Sequence, residues 1–215
     1  MSAILYCVPA SPSCNFVRSL AKHIGVDLCV KDLDFSKNEH LADDYVKLNP
    51  FHKVPTLDDG GFVLYESAAI AYYLLRKYAP ESDLYPKCLK SRSRVDQVLG
   101  TVASTIEPRH MSFLRESFCK NAKPTEESMA AFEDDVLKGL QLLVAEGPFC
   151  VGDTLTLADL AIVANLAVAL IYAPDTTKFP KLLEYYERVR GAVPYFKEIY
   201  ESALASIQDR WAELK

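Results

Sequence analysis

The sequence predicts an α/β domain over residues 1–79 followed by an all-α domain over residues 86–215. Short apolar segments alternate with helix-type segments up to Tyr78, and residues 79–83 then break the pattern with a proline and polar side chains. The rest of the chain contains helical periodicity without a convincing alternating strand. A chain of 215 residues is long enough for two packed domains.

The α/β domain begins with a strand, a helix and a second strand. Residues 3–8 are nearly all apolar, which is typical of a buried strand. Ser11 and Pro12 supply an N-cap and a first-turn proline for a helix that ends near Gly25. Residues 28–30 predict a second short buried strand, and a crossover of this kind makes the two strands parallel.

A hairpin and a helix complete this domain. A short helix is expected over residues 42–48, and the strand-like runs 54–57 and 62–65 flank an Asp-Asp-Gly-Gly turn. Ser67 is the expected N-cap of a helix that continues to Tyr78. The order β-α-β-α-β-β-α is that of a thioredoxin-like domain.

The second domain is predicted to be a helical bundle, with helical segments near residues 91–121, 125–145, 157–173, 179–191 and 194–214. Thr156 and Asp159 have the spacing of a capping box at the start of the third of these segments, with Asp in place of the usual Glu or Gln. We therefore assign Asp159 to stability and not to catalysis.

Composition and charge exclude several functional classes. Half of the residues are hydrophobic and a quarter are charged, as in ordinary soluble proteins. The net charge of −5 and the pI of about 5.4, without a basic run, argue against nucleic acids and anionic membranes as partners. The first residues lack a signal-peptide pattern, and the apolar stretch 157–173 is too short and polar for a membrane span. We expect a cytoplasmic protein.

Six cysteines are scattered through the chain without a Cys-x-x-Cys motif or a histidine at metal-ligand spacing. This pattern predicts neither a metal site nor a dithiol redox motif. Free, mostly buried thiols are the expectation for a chain without a secretory signal.

Three segments carry a resemblance to a known family. They are Ser11-Pro12-Ser13-Cys14, the run Asn-Pro-Phe-His-Lys-Val-Pro-Thr-Leu over residues 49–57, and Tyr65-Glu66-Ser67. Together with the domain order, they resemble the cytosolic glutathione transferases, most closely the serine-type delta and epsilon classes of insects. The resemblance implies glutathione as co-substrate, no metal, small hydrophobic electrophiles, a homodimer and a role in detoxification.

Ser11 is the residue that we expect to activate the glutathione thiol. At a helix N-cap its hydroxyl can donate to sulfur, and the partial positive charge of the helix end favours an anion. A free thiol has a pKa near 8.5, so a decrease of about one or two units makes the thiolate common at neutral pH. Ser11 would act as a hydrogen-bond donor and not as a nucleophile, whereas the simpler interpretation is that it only caps the helix.

The second segment resembles the part of the family's site that binds the glutathione backbone. The resemblance implies a cis peptide bond before Pro55, which would turn the backbone of Val54 outward to pair with the cysteinyl peptide group. His52 and Lys53 are expected to meet the glycine carboxylate, Lys53 through its charge.

The third segment is expected to bind the γ-glutamyl end. The helix start at Ser67 and Ala68 offers backbone N–H groups to a carboxylate, and Glu66 can pair with the ammonium group. His40 resembles a further glutathione contact. The delta pattern usually has arginine where this chain has Asn15 and Ala68, which puts the affinity for glutathione in question more than the fold.

The electrophile is expected between the domains, against the helix that contains residues 106–118. Aromatic and methionine stripes are usually core, so only part of this set can face a pocket. Arg109 is a further candidate to polarise a leaving group. The expected pocket residues are His110, Met111, Phe113 and Phe118.

Two other functions compete with conjugation. Cys14 lies where the second cysteine of a thioredoxin motif would lie, which suggests thiol–disulfide exchange, but Ser11 occupies the place of the attacking cysteine. The chain could also be a non-catalytic protein that binds glutathione or other ligands.

Overall fold

A computed structural model describes residues 2–144, 147–173 and 175–215. The N-terminal domain alternates strands and helices as the sequence predicts, and ends with a helix that follows a hairpin. Its elements are β1 (Ile4–Cys7), α1 (Pro12–His23), β2 (Cys29–Asp32), α2 (Asp43–Leu48), β3 (Thr56–Asp59), β4 (Phe62–Tyr65) and α3 (Ser67–Tyr78).

The four strands form one mixed sheet in the order β2-β1-β3-β4. β1 pairs with β2 in parallel and with β3 antiparallel, and β3 and β4 form the predicted hairpin. The prediction that β2 is buried is wrong, because β2 is the edge strand and all four of its residues are exposed. The thioredoxin-like prediction for this domain is confirmed.

The C-terminal domain is helical, as predicted. Its helices are α4 (Leu89–Thr101), α5 (Glu107–Lys120), α6 (Glu126–Phe132), α7 (Lys138–Leu143), α8 (Leu157–Tyr172), α9 (Pro180–Ala192) and α10 (Phe196–Ala212). The last residue of the predicted helical segment 125–145 lies outside the described residues. The domain limits 1–79 and 86–215 stay a prediction.

A π-helical turn, Val102–Ile106, separates α4 from α5 within the segment predicted as one helix. The Glu107 N–H donates to the Val102 carbonyl, so one extra residue enters this turn. Pro108 follows directly, and its missing N–H and its ring disfavour the regular pattern here. The inserted residue changes the helix face on which Glu107 lies.

Helix α8 forms the centre of the C-terminal domain and is buried almost throughout. Its predicted capping box is confirmed, since Asp159 Oδ2 accepts from the Thr156 N–H and from the Thr156 hydroxyl at 2.8 Å each. Within the described residues, the helices fall short of the length and apolarity needed to cross a membrane.

Helix α1 joins the two domains. Phe16, Val17 and Leu20 are buried in the core, and α1 packs against α3 of its own domain and against α8 of the C-terminal domain. Another face meets α10, where Ser19 and Tyr200 share a buried hydrogen bond of 3.0 Å. His23 Nδ1 and Tyr195 Oη add a further hydrogen bond of 2.9 Å. The position of the helix that begins at Ser11 is therefore fixed from both domains.

Candidate active site

The three predicted glutathione-site segments meet at one end of the sheet. Tyr6 lies opposite Thr56, and Thr56 lies opposite Tyr65. The end of β1, the start of β3 and the end of β4 therefore lie side by side. The loops that carry Ser11, the Val54–Pro55 bond and Glu66 all lie at this end of the sheet.

Ser11 is the N-cap of α1, as predicted. Its backbone is extended (φ −79°, ψ 121°), and its Oγ accepts a hydrogen bond of 3.3 Å from the Cys14 N–H. The Ser11 N–H donates to the Val8 carbonyl at 2.9 Å, which holds the loop in a tight turn. Because the cap uses Oγ as an acceptor, the hydroxyl hydrogen can point to an anion beyond the helix end.

Asn15 has a structural use that its place in the sequence did not reveal. It is buried, and its Nδ2 donates to the Pro9 carbonyl at 2.8 Å. Its Oδ1 accepts from Arg18 at 3.1 Å. The delta pattern has an arginine at this position. In this chain the amide of Asn15 holds the loop that leads into Ser11.

The cysteines near Ser11 lie beneath the site and not in it. Cys7 and Cys14 are both 0% exposed, and Cys14 Sγ accepts from the Val8 N–H at 3.5 Å. The hydrogen bond with Cys14, together with burial, raises the pKa of Cys7. The expectation of mostly buried thiols holds for only half of the set, because Cys7, Cys14 and Cys150 are buried whereas Cys29, Cys88 and Cys119 are exposed.

The loop before β3 is fixed by a polar network around the Lys53 carbonyl. This carbonyl accepts from Tyr45 Oη at 2.5 Å and from Asn49 Nδ2 at 2.9 Å. Both side chains also contact the Thr56 hydroxyl.

The next peptide bond, Val54–Pro55, is cis, in agreement with the prediction. The side chains of His52 and Lys53 are exposed. Their contact with the glycine carboxylate of glutathione stays a prediction.

Glu66 is the N-cap residue of α3, and Ser67 is the first residue of the helix. The prediction that Ser67 is the N-cap is therefore displaced by one residue. Glu66 adopts φ +70°, an uncommon conformation for a residue with a side chain that occurs often at ligand sites. The first N–H groups of α3, at Ser67 and Ala68, have no acceptor within their own helix.

Comparisons with known proteins match this arrangement over nearly the whole chain. The family model for the glutathione S-transferase N-terminal domain matches residues 1–76, and the model for the C-terminal domain matches residues 110–198. A delta-class glutathione transferase from Nilaparvata lugens is 34% identical, with a TM-score of 0.88 over 99% of this chain and 100% of that one.

Two further structures are similar to this chain. An epsilon-class glutathione S-transferase from the housefly Musca domestica is 25% identical, with a TM-score of 0.88 over 99% of this chain and 98% of that one. A diazinon-metabolizing glutathione S-transferase from the silkworm Bombyx mori is 28% identical, with a TM-score of 0.83 over 97% and 100%. The chain belongs to the glutathione transferase family. It is an enzyme of this family, whose members use glutathione as a substrate.

In this transferase, His40 lies on a short 3₁₀ helix, Glu39–Leu41. Its ring stacks on Phe35, with the ring centres 4.0 Å apart. Its Nδ1 is buried and has no hydrogen-bond partner among the described residues. The predicted contact of His40 with glutathione stays a prediction.

The structure divides the residues expected at the electrophile pocket of the transferase. His110 and Phe113 are 1% and 6% exposed and pack into an aromatic cluster with Phe132, whereas Met111 is 49% exposed. Phe118 is partly buried beneath the Arg210 guanidinium. Burial lowers the pKa of His110 to about 4, so this side chain is neutral. His110 and Phe113 therefore belong to the core in this arrangement.

Arg109, the other candidate for polarising a leaving group, lies near Asp135 with an N–O distance of 3.5 Å. This ion pair is on the surface, since both side chains are about half exposed. An exposed pair of this kind holds its arginine only weakly.

Sequence reasoning missed Glu107, which links the two domains of the transferase. Ser13 Oγ, at the start of α1, lies 2.8 Å from both carboxylate oxygens of Glu107. Asn165 Nδ2, on α8, lies 3.3 Å from Oε1. The hydroxyl of Ser13 is thus directed to Glu107. Pro108, within a segment of helical periodicity, was the available signal in the sequence.

Proposed function

We propose that this transferase conjugates the glutathione thiolate to small hydrophobic electrophiles, as in detoxification. The observation that supports the proposal is the position of Ser11 at the N-cap of α1, at the end of the sheet where the glutathione-site segments meet. A hydroxyl donor and a helix N-terminus both favour an anion at this point.

Glutathione would bind along this end of the sheet. The Val54 backbone would pair with the cysteinyl peptide group, while His52 and Lys53 would meet the glycine carboxylate. The N–H groups of Ser67 and Ala68 would bind the γ-glutamyl carboxylate and Glu66 the ammonium group. Pro55 shapes this segment, and His40 is a further proposed contact.

The reaction would then need little from the chain besides positioning and charge stabilisation. The thiol loses its proton to solvent, and Ser11 donates a hydrogen bond to the sulfur anion. The sulfur forms a bond to the electrophilic carbon, and the leaving group departs with its bonding electrons. Met111 and Phe118 are the proposed apolar contacts for the electrophile, because Met111 is 49% exposed and Phe118 is only partly buried, whereas His110 and Phe113 are buried.

We propose a cytoplasmic homodimer as the working form, an inference from the family. Diazinon, which the silkworm protein metabolises, is an example of the kind of electrophile to screen.

The test is glutathione binding by calorimetry together with conjugation of chlorodinitrobenzene across a pH series. In Ser11→Ala we expect kcat/KM near neutral pH to fall about ten- to a hundredfold and to recover partly at high pH, because the thiol pKa rises by one or two units. The matched control is Ser202→Ala, which removes an exposed hydroxyl on α10. Binding without turnover would favour a non-catalytic ligand-binding protein and overturn the proposal.

A further inference from the structure

Glu107 is a carboxylate that lies between the two domains and is paired with no cation in the part of the chain that the structure describes. Its hydrogen-bond donors are the Ser13 hydroxyl and the Asn165 amide, which are both neutral. None of the ion pairs among the described residues includes Glu107. Buried carboxylates are normally paired with a cation, because desolvation of an unpaired charge is unfavourable.

The unused hydrogen-bonding capacity of this cluster is entirely of the acceptor type. Ser13 has one hydroxyl hydrogen for two carboxylate oxygens. The two amide hydrogens of Asn165 point to Glu107 and to the Ala161 carbonyl, at 3.3 and 3.1 Å. Asn165 Oδ1 is buried and has no partner among the residues that the structure describes. A group that completes this cluster must therefore supply hydrogens, positive charge or both.

The cluster lies at the start of α1, next to the proposed site of the glutathione thiol. Glu107 keeps part of its surface exposed, so a ligand can reach it. Desolvation raises the pKa of its carboxyl group, and the charges of Glu66 and Lys53 act on it in opposite directions. Both of these residues belong to the glutathione-site segments, Glu66 as the N-cap of α3 and Lys53 in the loop before β3. Ser13, its partner, is two residues from Ser11.

We propose that Glu107 is a specificity-determining residue, which binds the cationic group of an electrophile placed for attack by the thiolate at Ser11. This inference rests on the proposed function. The preferred second substrates are apolar electrophiles with an ammonium or amidinium group, and anionic electrophiles are rejected by repulsion from the carboxylate.

The experiment uses three chlorodinitrobenzamides that differ only in the group on the amide nitrogen: trimethylammonioethyl, propyl or carboxyethyl. Conjugation rates are measured for the wild type, Glu107→Gln and Glu107→Asp. The matched control is Glu116→Gln, which removes an exposed carboxylate from the same helix. The same three groups on a dinitrobenzamide without chlorine serve as unreactive ligands for calorimetry.

In the wild type we expect kcat/KM for the cationic probe to exceed that for the anionic probe by roughly tenfold or more. Part of this ratio arises from the thiolate itself, so the decisive quantity is its dependence on position 107. The ratio should fall roughly tenfold in Glu107→Gln and be largely retained in Glu107→Asp and Glu116→Gln. An unchanged ratio in Glu107→Gln overturns the inference.

The failure of this inference and that of the proposed function can be distinguished. If the wild type does not conjugate the propyl compound, the proposed function fails, but the unreactive ligands still test Glu107. Equal affinity of the wild type for the cationic and anionic ligands would then overturn the inference, without dependence on the folding of any variant. The stability of each variant is checked by thermal unfolding.

Discussion

Tyr185 donates its hydroxyl hydrogen to Asp159 at 2.7 Å, which ties α9 to the first turn of α8. Asp159 Oδ1 also accepts from the Cys150 N–H at 2.7 Å, while Oδ2 closes the capping box on Thr156. One buried carboxylate thus joins a helix start, a second helix and the preceding loop. These buried donors would lose their acceptor if the carboxylate were removed.

Asp159→Asn should therefore destabilise the protein strongly. An asparagine amide has one acceptor oxygen, whereas the carboxylate has two. Its NH₂ group would therefore face either the donors of Tyr185 and Cys150 or those of Thr156. We expect the free energy of unfolding to decrease by about 3 kcal/mol or more, measured by urea denaturation. Asp153→Asn, an exposed position in the preceding loop, is the matched control and should change it by less than about 0.5 kcal/mol. Equal effects of the two substitutions would contradict the assignment of Asp159 to stability.

His110 should make the stability of the fold fall in mild acid. Burial lowers its pKa from 6.5 to about 4 in the folded state. Between these values the unfolded chain binds a proton that the folded chain does not, so stability decreases as the pH falls from 6.5 toward 4. The contribution amounts to about 3 kcal/mol over this range. Burial also lowers the pKa of His23, which acts in the same direction.

Unfolding at several pH values in urea checks this expectation. In His110→Phe, which fits the aromatic surroundings of Phe113 and Phe132, the decrease between pH 6.5 and 4 should be smaller than in the wild type. Parallel pH profiles for the two proteins would show that His110 is not the group responsible.

Thiol reactivity should separate the cysteines into two groups of three. Cys29, Cys88 and Cys119 are exposed and should react with a chromogenic disulfide reagent in the native protein, whereas Cys7, Cys14 and Cys150 should react only after unfolding. Cys14→Ser should retain conjugation activity, because Cys14 is not accessible to a substrate. Rapid reaction of a fourth thiol that disappears in Cys14→Ser would revive thiol–disulfide exchange.

Glu107→Gln should stabilise the folded protein at neutral and alkaline pH. Desolvation raises the pKa of Glu107 in the folded state, so the folded chain binds the proton more tightly than the unfolded chain, and stability is lost as the pH rises from 4.5 through the folded pKa. Gln keeps the amide oxygen for Ser13 and removes the charge. The melting temperature of the variant should therefore exceed that of the wild type by more at pH 8 than at pH 4.

Glu116→Gln is the comparison variant, for which we expect a change in stability of the opposite sign. A hydrogen bond with Lys120 lowers the pKa of Glu116, so its charge is favourable in the folded state. This variant should be slightly less stable than the wild type at pH 8. If Glu107→Gln behaves in the same way, the charge of Glu107 is not a strain on the fold.

Local sequence signals were sufficient where neighbouring residues determine the structure. The cap at Ser11, the hairpin turn and the capping box of Thr156 and Asp159 depend on residues a few positions apart, and all are confirmed. Burial of β2 was mispredicted because apolar character does not reveal which strand is at the sheet edge. The start of α3 was displaced by one residue because Glu66 adopts a positive φ that its residue type does not favour.

Contacts between distant segments were not predictable from a single sequence. Ser13 and Glu107 are separated by 94 positions, and the direction of Glu107 depends on a π-helical turn within a segment of ordinary helical periodicity. His110 and Phe113 share a helical stripe with exposed residues, and only the packing of α5 against its neighbours shows that both are in the core. The periodicity revealed the helix but not which of its residues pack into the core.

The double attachment of α1 has a consequence for protein engineering. Because Ser19 and Tyr200 hold this helix against α10, residues 1–79 alone would leave a hydroxyl and apolar surface of α1 exposed to water. Chimeras that exchange only the N-terminal half with another member of the family should express poorly unless Tyr195 and Tyr200 are exchanged as well. The unit of recombination in this protein thus includes α1 together with α8 and α10, helices that lie far apart along the chain.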